Sequence, residues 1–169
     1  MYYVHYYSSP LGKITLSSDG TSITGLWFSG QKRYAADIDK EKMEKHLPIF
    51  FLADKWLNIY FSGNNPSFVP AVKLKGTPFQ KTVWKMLSGI PYGETLSYGK
   101  IAETIAKQKG IAKMSAQAVG AAVAHNPVAL IIPCHRVIGS DGSLTGYAAG
   151  IHRKIMLLKM EKAFFNPLA

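Results

Sequence analysis

The chain contains one cysteine, Cys134, which follows an apolar run and is followed at once by His135 and Arg136. A thiol attacks carbon only as the thiolate, and its ordinary pKa of about 8.5 leaves a few per cent ionised at neutral pH. A neighbouring imidazole or cation raises that fraction, so the pattern predicts a nucleophilic cysteine activated by His135 and Arg136. The alternative is that Cys134 is a small buried apolar residue, the usual state of an isolated cysteine.

The composition is that of a globular protein, because 47% of the 169 residues are hydrophobic and 12% are aromatic. The length fits one or two small domains. A single cysteine excludes an intramolecular disulfide, and the chain does not open on an export signal, so we expect a protein of the reducing cytoplasm. No apolar run reaches the roughly 20 residues that span a bilayer. We therefore expect a soluble protein with no membrane-spanning segment.

The chain is strongly basic, with 20 Lys and Arg against 10 Asp and Glu and a formal net charge of +10 at pH 7. Such a charge steers a protein towards polyanions with an affinity that falls as salt rises, and nucleic acid is the first candidate. A diffuse cationic surface, or an affinity for anionic lipid, would give the same composition. The charge alone leaves these alternatives open.

The N-terminal part alternates short β-like segments with turn signals, which predicts a small antiparallel sheet. The segments cover residues 2–7, 13–17 and 23–28. A charged stretch over residues 32–45 leads to an amphipathic segment, residues 48–60, which predicts a helix that covers one face of the sheet. We expect a boundary near residues 74–77, between an N-terminal domain of residues 1–75 and a C-terminal domain of residues 76–169.

Local helix signals predict a helix-turn-helix in the C-terminal domain. Thr77, followed by proline, is a typical start for a helix that ends near Gly89. Ser97 begins a second helix that Gly110 ends, and a third helix over residues 116–125 follows after a short connection. Two helices joined by a short turn are typical of DNA-binding domains.

The third predicted helix is rich in small residues, and only Val119 and Val123 are large enough to pack inward. One interpretation is close packing inside the protein, where small residues let backbones approach. The other is close approach of this helix to a narrow groove of nucleic acid.

Two further predicted elements carry candidate site residues, a strand before Cys134 and a last helix. Residues 129–132 form a short apolar run, which predicts a strand that leads into the cysteine. A last helix has Ile151, Ile155 and Leu158 as its predicted buried face and carries Glu161 near its end.

Four short motifs make the C-terminal domain resemble the methylated-DNA–protein-cysteine methyltransferases, the O6-alkylguanine-DNA alkyltransferase family. They are Pro133-Cys134-His135-Arg136-Val137, Ala118-Val119-Gly120, Asn126-Pro127 and Ser97-Tyr98. The N-terminal domain fits the family only by its pattern of strands and turns. The resemblance implies an α/β plus α fold: a ribonuclease H-like N-terminal sheet with a helix, and a winged helix-turn-helix-like domain that carries the active-site cysteine.

The resemblance implies one irreversible reaction per molecule, in which Cys134 takes the alkyl group from guanine O6 in DNA without a cofactor. His135 would act as a base through a bound water, and Glu161 would hold its imidazole in the useful tautomer. Tyr98 would assist rotation of the nucleotide and donate to the base as negative charge develops. Asn126 would brace the turn before the active-site segment. O4-alkylthymine stays open as a second lesion.

The same resemblance implies that a monomer binds double-stranded DNA containing O6-alkylguanine and flips the damaged base out of the duplex. The residues expected at the DNA are Ala116, Gln117, Ala118, Gly120, Ala121 and Arg136. Many family members have an arginine where this chain has Gln117, so the space of the flipped base would be filled by an uncharged amide. The expected pocket for the base and its alkyl group is formed by Val137, Tyr147, Ala148 and Ala149. The backbone carbonyls of Cys134 and Val137 would read the guanine amino group.

Zinc chemistry is not expected. A zinc deaminase needs a second cysteine three positions after the first, where this chain has Val137, and the metal site of some relatives needs N-terminal cysteines that are absent. A cysteine hydrolase is disfavoured because hydrolases usually bring their histidine from a distant segment. A non-enzymatic DNA-binding regulator fits the charge, but the alkyltransferase-like relatives that only recognise alkylated DNA lack the cysteine.

Overall fold

The computed structural model describes residues 2–31 and 42–169 and contains two compact units. The first unit is the chain up to Lys75 together with Pro127–Ile131, and the second comprises Gly76–Asn126 and Ile132–Ala169. Most of the charged stretch expected over residues 32–45 lies outside the described residues.

Four strands form the sheet of the first unit: β1 (Tyr2–Ser9), β2 (Gly12–Ser18), β3 (Ile23–Phe28) and β4 (Lys42–Glu44). They lie in the order β3-β2-β1-β4. Strand β2 is antiparallel to both β1 and β3, which confirms the predicted small antiparallel sheet, and β4 is parallel to β1. The central strand β2 carries the fully buried side chains of Ile14 and Leu16. The sequence does not predict β4, because a three-residue edge strand in a charged stretch has no apolar pattern.

Helix α1 (Pro48–Phe61) confirms the predicted helix and packs on the strands of the sheet. Proline at the first helical position removes a donor that would have no intrahelical partner there. The buried residues recur at helical spacing, so one side of the helix is apolar and faces the sheet. They are Ile49, Phe50, Ala53, Trp56, Leu57 and Tyr60.

The apolar run over residues 129–132 forms a turn, so the prediction of a strand there is wrong. Val128 forms one isolated bridge with Leu26, and the backbone N–H of Ala129 donates to Leu26 O at 3.2 Å. Leu130 then has a φ of 67°, a left-handed conformation that a strand does not contain. A short apolar run predicts burial, but long-range contacts decide whether the buried residues pair or turn.

The second unit begins with α2 (Pro78–Ser88), β5 (Leu96–Ser97) and α3 (Tyr98–Lys109). A complete capping box starts α2: the Thr77 side chain accepts from Gln80 N–H, and the Gln80 side chain accepts from Thr77 N–H. At the end of α3, Gly110 has a φ of 65°, the left-handed conformation that commonly ends helices. These local signals explain why the predicted helix bounds are close to the observed ones.

Helix α4 (Ala116–Ala124) packs against both α3 and α2, and α3 with α4 forms the helix-turn-helix. Val119, Ala122 and Val123 are its buried residues, and Ala122 O accepts a hydrogen bond of 2.8 Å from Nε1 of Trp84. Close packing therefore explains the small side chain of Ala122 on the inner face of α4. It does not explain the small residues on the outer face.

The chain then forms a 3₁₀ turn (Cys134–Arg136), β6 (Val137–Ile138) and α5 (Ile151–Met160). Strand β6 pairs in parallel with β5, which places Val137 opposite Leu96. In the described part of the chain, no helix is both long and apolar enough to cross a membrane.

The buried face of α5 differs from the predicted one. Ile151 is 37% exposed and Ile155 is half-buried, whereas Lys154, Leu157 and Leu158 are buried. The prediction followed the apolar side chains alone. The helix instead turns a lysine inward, because backbone carbonyls in the interior accept hydrogen bonds from its ammonium group.

Candidate active site

Cys134 lies at the start of the 3₁₀ turn, where two hydrogen bonds to one carbonyl hold the chain. The Cys134 N–H donates to Ile132 O at 2.8 Å, and Nδ2 of Asn126 donates to the same oxygen at 2.8 Å. Because Asn126 follows α4 closely, it ties the end of that helix to the cysteine segment. The segment is thus a turn and not the extended chain that the sequence predicts. Cys134 is only 6% exposed, so its reaction partner must enter the interior.

Two side chains of the 3₁₀ turn meet the carboxylate of Glu161, the residue at the C-terminal end of α5. Nε2 of His135 lies 2.5 Å from Oε2 of Glu161, and Nε of Arg136 donates to Oε1 at 2.8 Å. The backbone N–H of Gly93 also donates to Oε1, at 3.0 Å. Since the Glu161 side chain is inaccessible to solvent, these donors replace the water that a carboxylate otherwise needs.

Burial and the surrounding donors set the protonation states of this cluster. Burial alone would raise the pKa of Glu161, but the hydrogen bonds and charges of His135 and Arg136 outweigh it and lower that pKa to about 2. Burial lowers the pKa of His135 below its ordinary value, although the bond to Glu161 opposes that shift. Near neutral pH the carboxylate is therefore ionised and the imidazole is neutral. The carboxylate holds the imidazole proton on Nε2, which makes Nδ1 the basic nitrogen.

Arg136 is an internal member of this cluster, which corrects the expectation that it contacts DNA. It is 8% exposed, and its Nη1 donates to Ile90 O at 2.7 Å. The guanidinium carbon also lies 5.8 Å from the centre of the Tyr92 ring. An arginine in a basic chain has the same local pattern whether it points inward or outward, so only long-range contacts reveal its direction.

Burial raises the pKa of the Cys134 thiol, and polar neighbours oppose that effect. These neighbours are the Asn126 amide, the positive charge of Lys154 and the Tyr147 hydroxyl. The sequence predicts that His135 and Arg136 supply the activating charge, but both are directed towards Glu161. The charge that favours the thiolate comes from α5 instead.

Lys154 is a functional candidate that sequence reasoning missed. Its side chain is fully buried, and Nζ donates to the carbonyl oxygens of Val137 at 2.5 Å and of Gly146 at 3.4 Å. Burial lowers the pKa of Lys154 to about 8, and the charge of the neighbouring cysteine acts in the opposite direction. The available signal is spacing: residues 154, 157, 158 and 161 recur at helical intervals, which puts the lysine on the same face as Glu161.

Two tyrosines lie close to the cysteine, Tyr98 at the start of α3 and Tyr147 in the loop before α5. The Tyr98 hydroxyl donates to Thr145 O at 3.1 Å. Burial raises the pKa of Tyr98 and raises that of Tyr147 well above its ordinary value, and the charge of Cys134 acts in the same direction on both. Both phenols therefore stay protonated at neutral pH and can donate hydrogen bonds.

The other expected pocket residues lie in β6 and in the loop that follows it. Val137 and Ala149 are buried, and Ala148 is half-buried. Ala149 O accepts a hydrogen bond of 3.1 Å from Nη1 of Arg153, which fixes the end of this loop to the first turn of α5. Among the residues that the structure describes, no group of three His, Cys, Asp or Glu side chains is placed to hold a metal ion.

The residues expected at the DNA on α4 lie along its outer face. Ala116, Gln117 and Ala121 are exposed, and Ala118 and Gly120 are half-buried. A Cβ added to Gly120 would lie 3.8 Å from the Tyr98 ring, which is ordinary contact distance. The outer face of α4 therefore adjoins the tyrosine that lies close to Cys134.

Two family models match consecutive parts of the chain. The DNA binding domain of 6-O-methylguanine DNA methyltransferase matches residues 78–163, and the ribonuclease-like domain of the same family matches residues 1–74. The chain belongs to the 6-O-methylguanine DNA methyltransferase family. The family resemblance and the fold class predicted from the sequence are thereby confirmed.

Individual members of the methyltransferase family resemble the chain over nearly its whole length. The methylated-DNA–protein-cysteine methyltransferase of Methanosarcina barkeri is 46% identical over 155 residues, which cover 91% of this chain and 93% of that protein. The crystal structure of Mycobacterium tuberculosis O6-methylguanine methyltransferase has a TM-score of 0.81 at 42% identity and covers 100% of this chain and 97% of that one. For the crystal structure of Mycobacterium tuberculosis OGT in complex with DNA, the TM-score is 0.80 at 44% identity, over 95% of this chain and 92% of that one.

In this methyltransferase, residues from four places in the sequence form the site: Tyr98 and Asn126 lie near the thiol, and His135, which follows Cys134 in the chain, is hydrogen-bonded to Glu161. Tyr98 comes from the start of α3, Asn126 from the end of α4, His135 from the 3₁₀ turn and Glu161 from the end of α5. The roles that the family resemblance implies for these residues stay predictions, as does the role of Gln117 on the outer face of α4.

Proposed function

We propose that this protein repairs DNA containing O6-alkylguanine by transferring the alkyl group to Sγ of Cys134, once per molecule. The observation that carries the proposal is a buried Cys134 followed, on the same 3₁₀ turn, by a His135 that is hydrogen-bonded to Glu161. This arrangement supplies a nucleophile, a neutral base and a carboxylate that orients the base. Membership in the methyltransferase family supports the same reaction.

The transfer is a displacement at a saturated carbon. The Cys134 sulfur forms a bond with the alkyl carbon as the bond from that carbon to guanine O6 breaks, and the electron pair of the broken bond passes to the guanine. The thiol proton moves through a bound water to Nδ1 of His135, while Nε2 keeps its hydrogen bond to Glu161. The guanine anion then takes up one proton, which balances the proton that the thiol gave to His135. The products are a thioether and an unmodified guanine, so the protein cannot react again.

The guanine must be stabilised as it leaves. Tyr98 stays protonated and donates a hydrogen bond to the base as negative charge develops, in exchange for the bond that it now makes with Thr145 O. The carbonyl oxygens of Cys134 and Val137 accept from the exocyclic amino group of guanine. The site thereby recognises the amino edge of the guanine base as well as the alkyl group.

Double-stranded DNA is the partner in this proposal, and a crystal structure of a relative contains DNA. The net charge of +10 attracts the phosphate backbone. The exposed side chains of Ala116 and Ala121 leave little bulk on the outer face of α4, which suits entry into the minor groove. Gln117, exposed on the same face, fills the space of the flipped base. The assigned residues all lie in one unit of one chain, so we propose that a monomer carries out the repair.

A mass measurement tests the proposed function. The protein is incubated with an excess of duplex oligonucleotide that contains one O6-methylguanine, and the intact protein and its peptides are then weighed. We expect the gain of one methyl group in place of one proton, located on Cys134 and saturating at one equivalent of lesion. The controls are Cys134→Ser and the same duplex with unmodified guanine. A methyl group at another residue, or continued consumption of excess lesion, would contradict the proposal.

A further inference from the structure

We propose that His125 reads the DNA sequence beside the lesion: its Nε2 atom accepts a hydrogen bond from the exocyclic amino group of a guanine in the minor groove. This role rests on the proposed function, in which the outer face of α4 enters that groove. It adds direct recognition of an undamaged base pair to the repair of a damaged one.

His125 lies on the outer face of α4. It is the C-cap residue of this helix, with a φ of −90° and a ψ of 3°, so it nearly continues the helical path. Gln117, Ala121 and His125 recur at intervals of four residues and are exposed, which places them within about 80° of one another around the helix axis. The buried residues Val119 and Val123 lie on the opposite side. The imidazole is therefore on the face that the proposed function assigns to DNA.

One hydrogen bond determines which nitrogen of the His125 ring carries the proton. Nδ1 of His125 lies 2.7 Å from Ala121 O. Because a carbonyl oxygen can only accept, Nδ1 is the donor, and Nε2 of the neutral imidazole is left as an acceptor. Among the residues that the structure describes, none provides a partner for Nε2. The exposed end of α4 thus presents a single hydrogen-bond acceptor in a fixed tautomer.

The end of α4 does not need this imidazole as a cap. The backbone N–H of His125 already donates to Ala121 O and Ala122 O, each at 3.2 Å, and so satisfies carbonyls that would otherwise lack an intrahelical partner. The imidazole adds a second hydrogen bond to Ala121 O, which has two lone pairs. The effect of that bond is to hold the ring against the helix, with Nε2 free to meet a group outside it.

An acceptor in the minor groove distinguishes one type of base pair from the other. Adenine N3 and thymine O2 are both acceptors, and the amino group of guanine is the only donor on the minor-groove edge. An unprotonated Nε2 therefore pairs with guanine and is opposed by the acceptors of an A·T pair. His125 thus favours a G·C pair over an A·T pair at the position that it contacts.

That position lies a short way along the groove from the flipped base. Gln117, which fills the space of that base in the proposed function, precedes His125 by eight residues, a rise of about 12 Å along the helix. At about 3.4 Å for each base pair, this distance corresponds to roughly three or four pairs. Ala121 lies between them with a small exposed side chain, so the helix can approach the groove closely over this distance. The base pair that His125 reads is therefore an undamaged neighbour of the lesion.

The experiment compares duplexes that differ by one amino group. An A·T-rich duplex contains one O6-methylguanine and one G·C pair, which is moved stepwise through the positions on either side of the lesion. In the partner duplex inosine replaces that guanine, which removes the amino group but keeps the pairing with cytosine. The second-order rate of methyl transfer is measured at about pH 8, where imidazole is ordinarily neutral, and the affinity is measured by fluorescence anisotropy with Cys134→Ser. We expect both to be about fivefold higher for guanine than for inosine at one position.

Variants of His125 decide whether the preference belongs to the imidazole. His125→Phe keeps a ring of similar size without its nitrogens, and His125→Ala replaces that variant if it does not fold. Either should abolish the preference for guanine and leave the reaction with free O6-methylguanine unchanged. His152→Phe, at an exposed histidine of α5, is the matched control and should keep the preference.

Three results would overturn the proposal: equal treatment of guanine and inosine by the wild-type protein at every position, a preference that survives in His125→Phe, or an equal loss of affinity for both duplexes in His125→Phe. The last result would indicate a contact with phosphate instead of a base. If the wild-type protein accepts no methyl group from any duplex, the proposed alkyl transfer fails, while the anisotropy comparison still decides whether His125 reads the guanine amino group.

Discussion

One carboxylate, that of Glu161, accepts hydrogen bonds from an imidazole, a guanidinium and a backbone amide. It thereby determines the tautomer of His135 and the direction of Arg136 together. A single substitution at this position should affect both chemistry and stability. These two effects can be measured separately.

Glu161→Gln should slow the reaction strongly. The neutral amide holds the imidazole less firmly and no longer stabilises the positive charge that His135 acquires as a base, so we expect single-turnover methyl transfer about a hundredfold slower. Intact-protein mass against time measures the rate. Glu103→Gln, an exposed acid on α3 with half of its side chain accessible, is the control. An unchanged rate in Glu161→Gln would remove Glu161 from the mechanism.

At the scale of elements, α4 has an inner face that packs inside the protein and an outer face that the proposed function assigns to DNA. Ala122 accepts the hydrogen bond of Trp84 on the inner side, while Gln117 lies exposed on the outer side. The two interpretations of the small residues in the sequence therefore refer to different faces of one helix. Only the outer face enters the proposed function.

Gln117→Ala should weaken repair of duplex DNA but not reaction with the free base. If the amide bonds the base left unpaired by flipping, its loss removes about 1 kcal/mol, and the rate on duplex falls roughly fivefold to tenfold. The rate with free O6-methylguanine should stay the same. Gln108→Ala, at an exposed position of α3, is the matched control. Equal losses on both substrates would show that Gln117 has no part in flipping.

The turn at Leu130 gives a second prediction for an element. Leu130 is 1% exposed with a φ of 67°, so its side chain stabilises the unit while its backbone is strained. Leu130→Ala should lose about 2 to 5 kcal/mol of unfolding free energy through the lost side chain. Leu130→Gly loses the same side chain but relieves roughly 1 kcal/mol of left-handed strain, so it should be the more stable of the two. Denaturant unfolding measures the difference, and a more stable alanine variant would contradict it.

The charge of the whole molecule should govern its binding to undamaged DNA. With a net charge of +10, binding releases counterions from the duplex, so affinity should fall about a hundredfold or more between roughly 50 and 200 mM salt. Fluorescence anisotropy of a labelled undamaged duplex measures this slope. Methyl transfer from the free base should hardly change over the same range, and an affinity independent of salt would rule out phosphate binding as its main source.

Acid should destabilise the molecule through Glu161. Its folded pKa of about 2 lies below the ordinary value of 4.5, so its contribution to stability is present above pH 4.5 and is lost as the pH falls towards 2. The two values correspond to about 3 kcal/mol in the unfolding free energy. Denaturant unfolding at several pH values measures the loss, and a folded Glu161→Gln protein should lack this part of it. Parallel curves for the two proteins would contradict the assignment.

The sequence by itself determined the features that depend on near neighbours. Thr77, Ser97 and Gly110 predicted helix ends because caps act within one turn of the chain. The apolar periodicity over residues 48–60 predicted α1 for a similar reason. The motif around Cys134 indicated the family, and it predicts the nucleophile.

Only the tertiary structure decided how the charged groups of the site are paired. In the structure Arg136 lies inside the protein and Lys154 is directed towards the cysteine. The apolar run before Cys134 forms a turn instead of a strand. The physical reason is that burial makes a charge depend on partners distant in sequence, such as the carbonyls that hold Lys154 and the carboxylate that holds Arg136. The composition and the spacing are the same whether such a side chain points into the protein or towards solvent, so long-range contacts alone determine its direction.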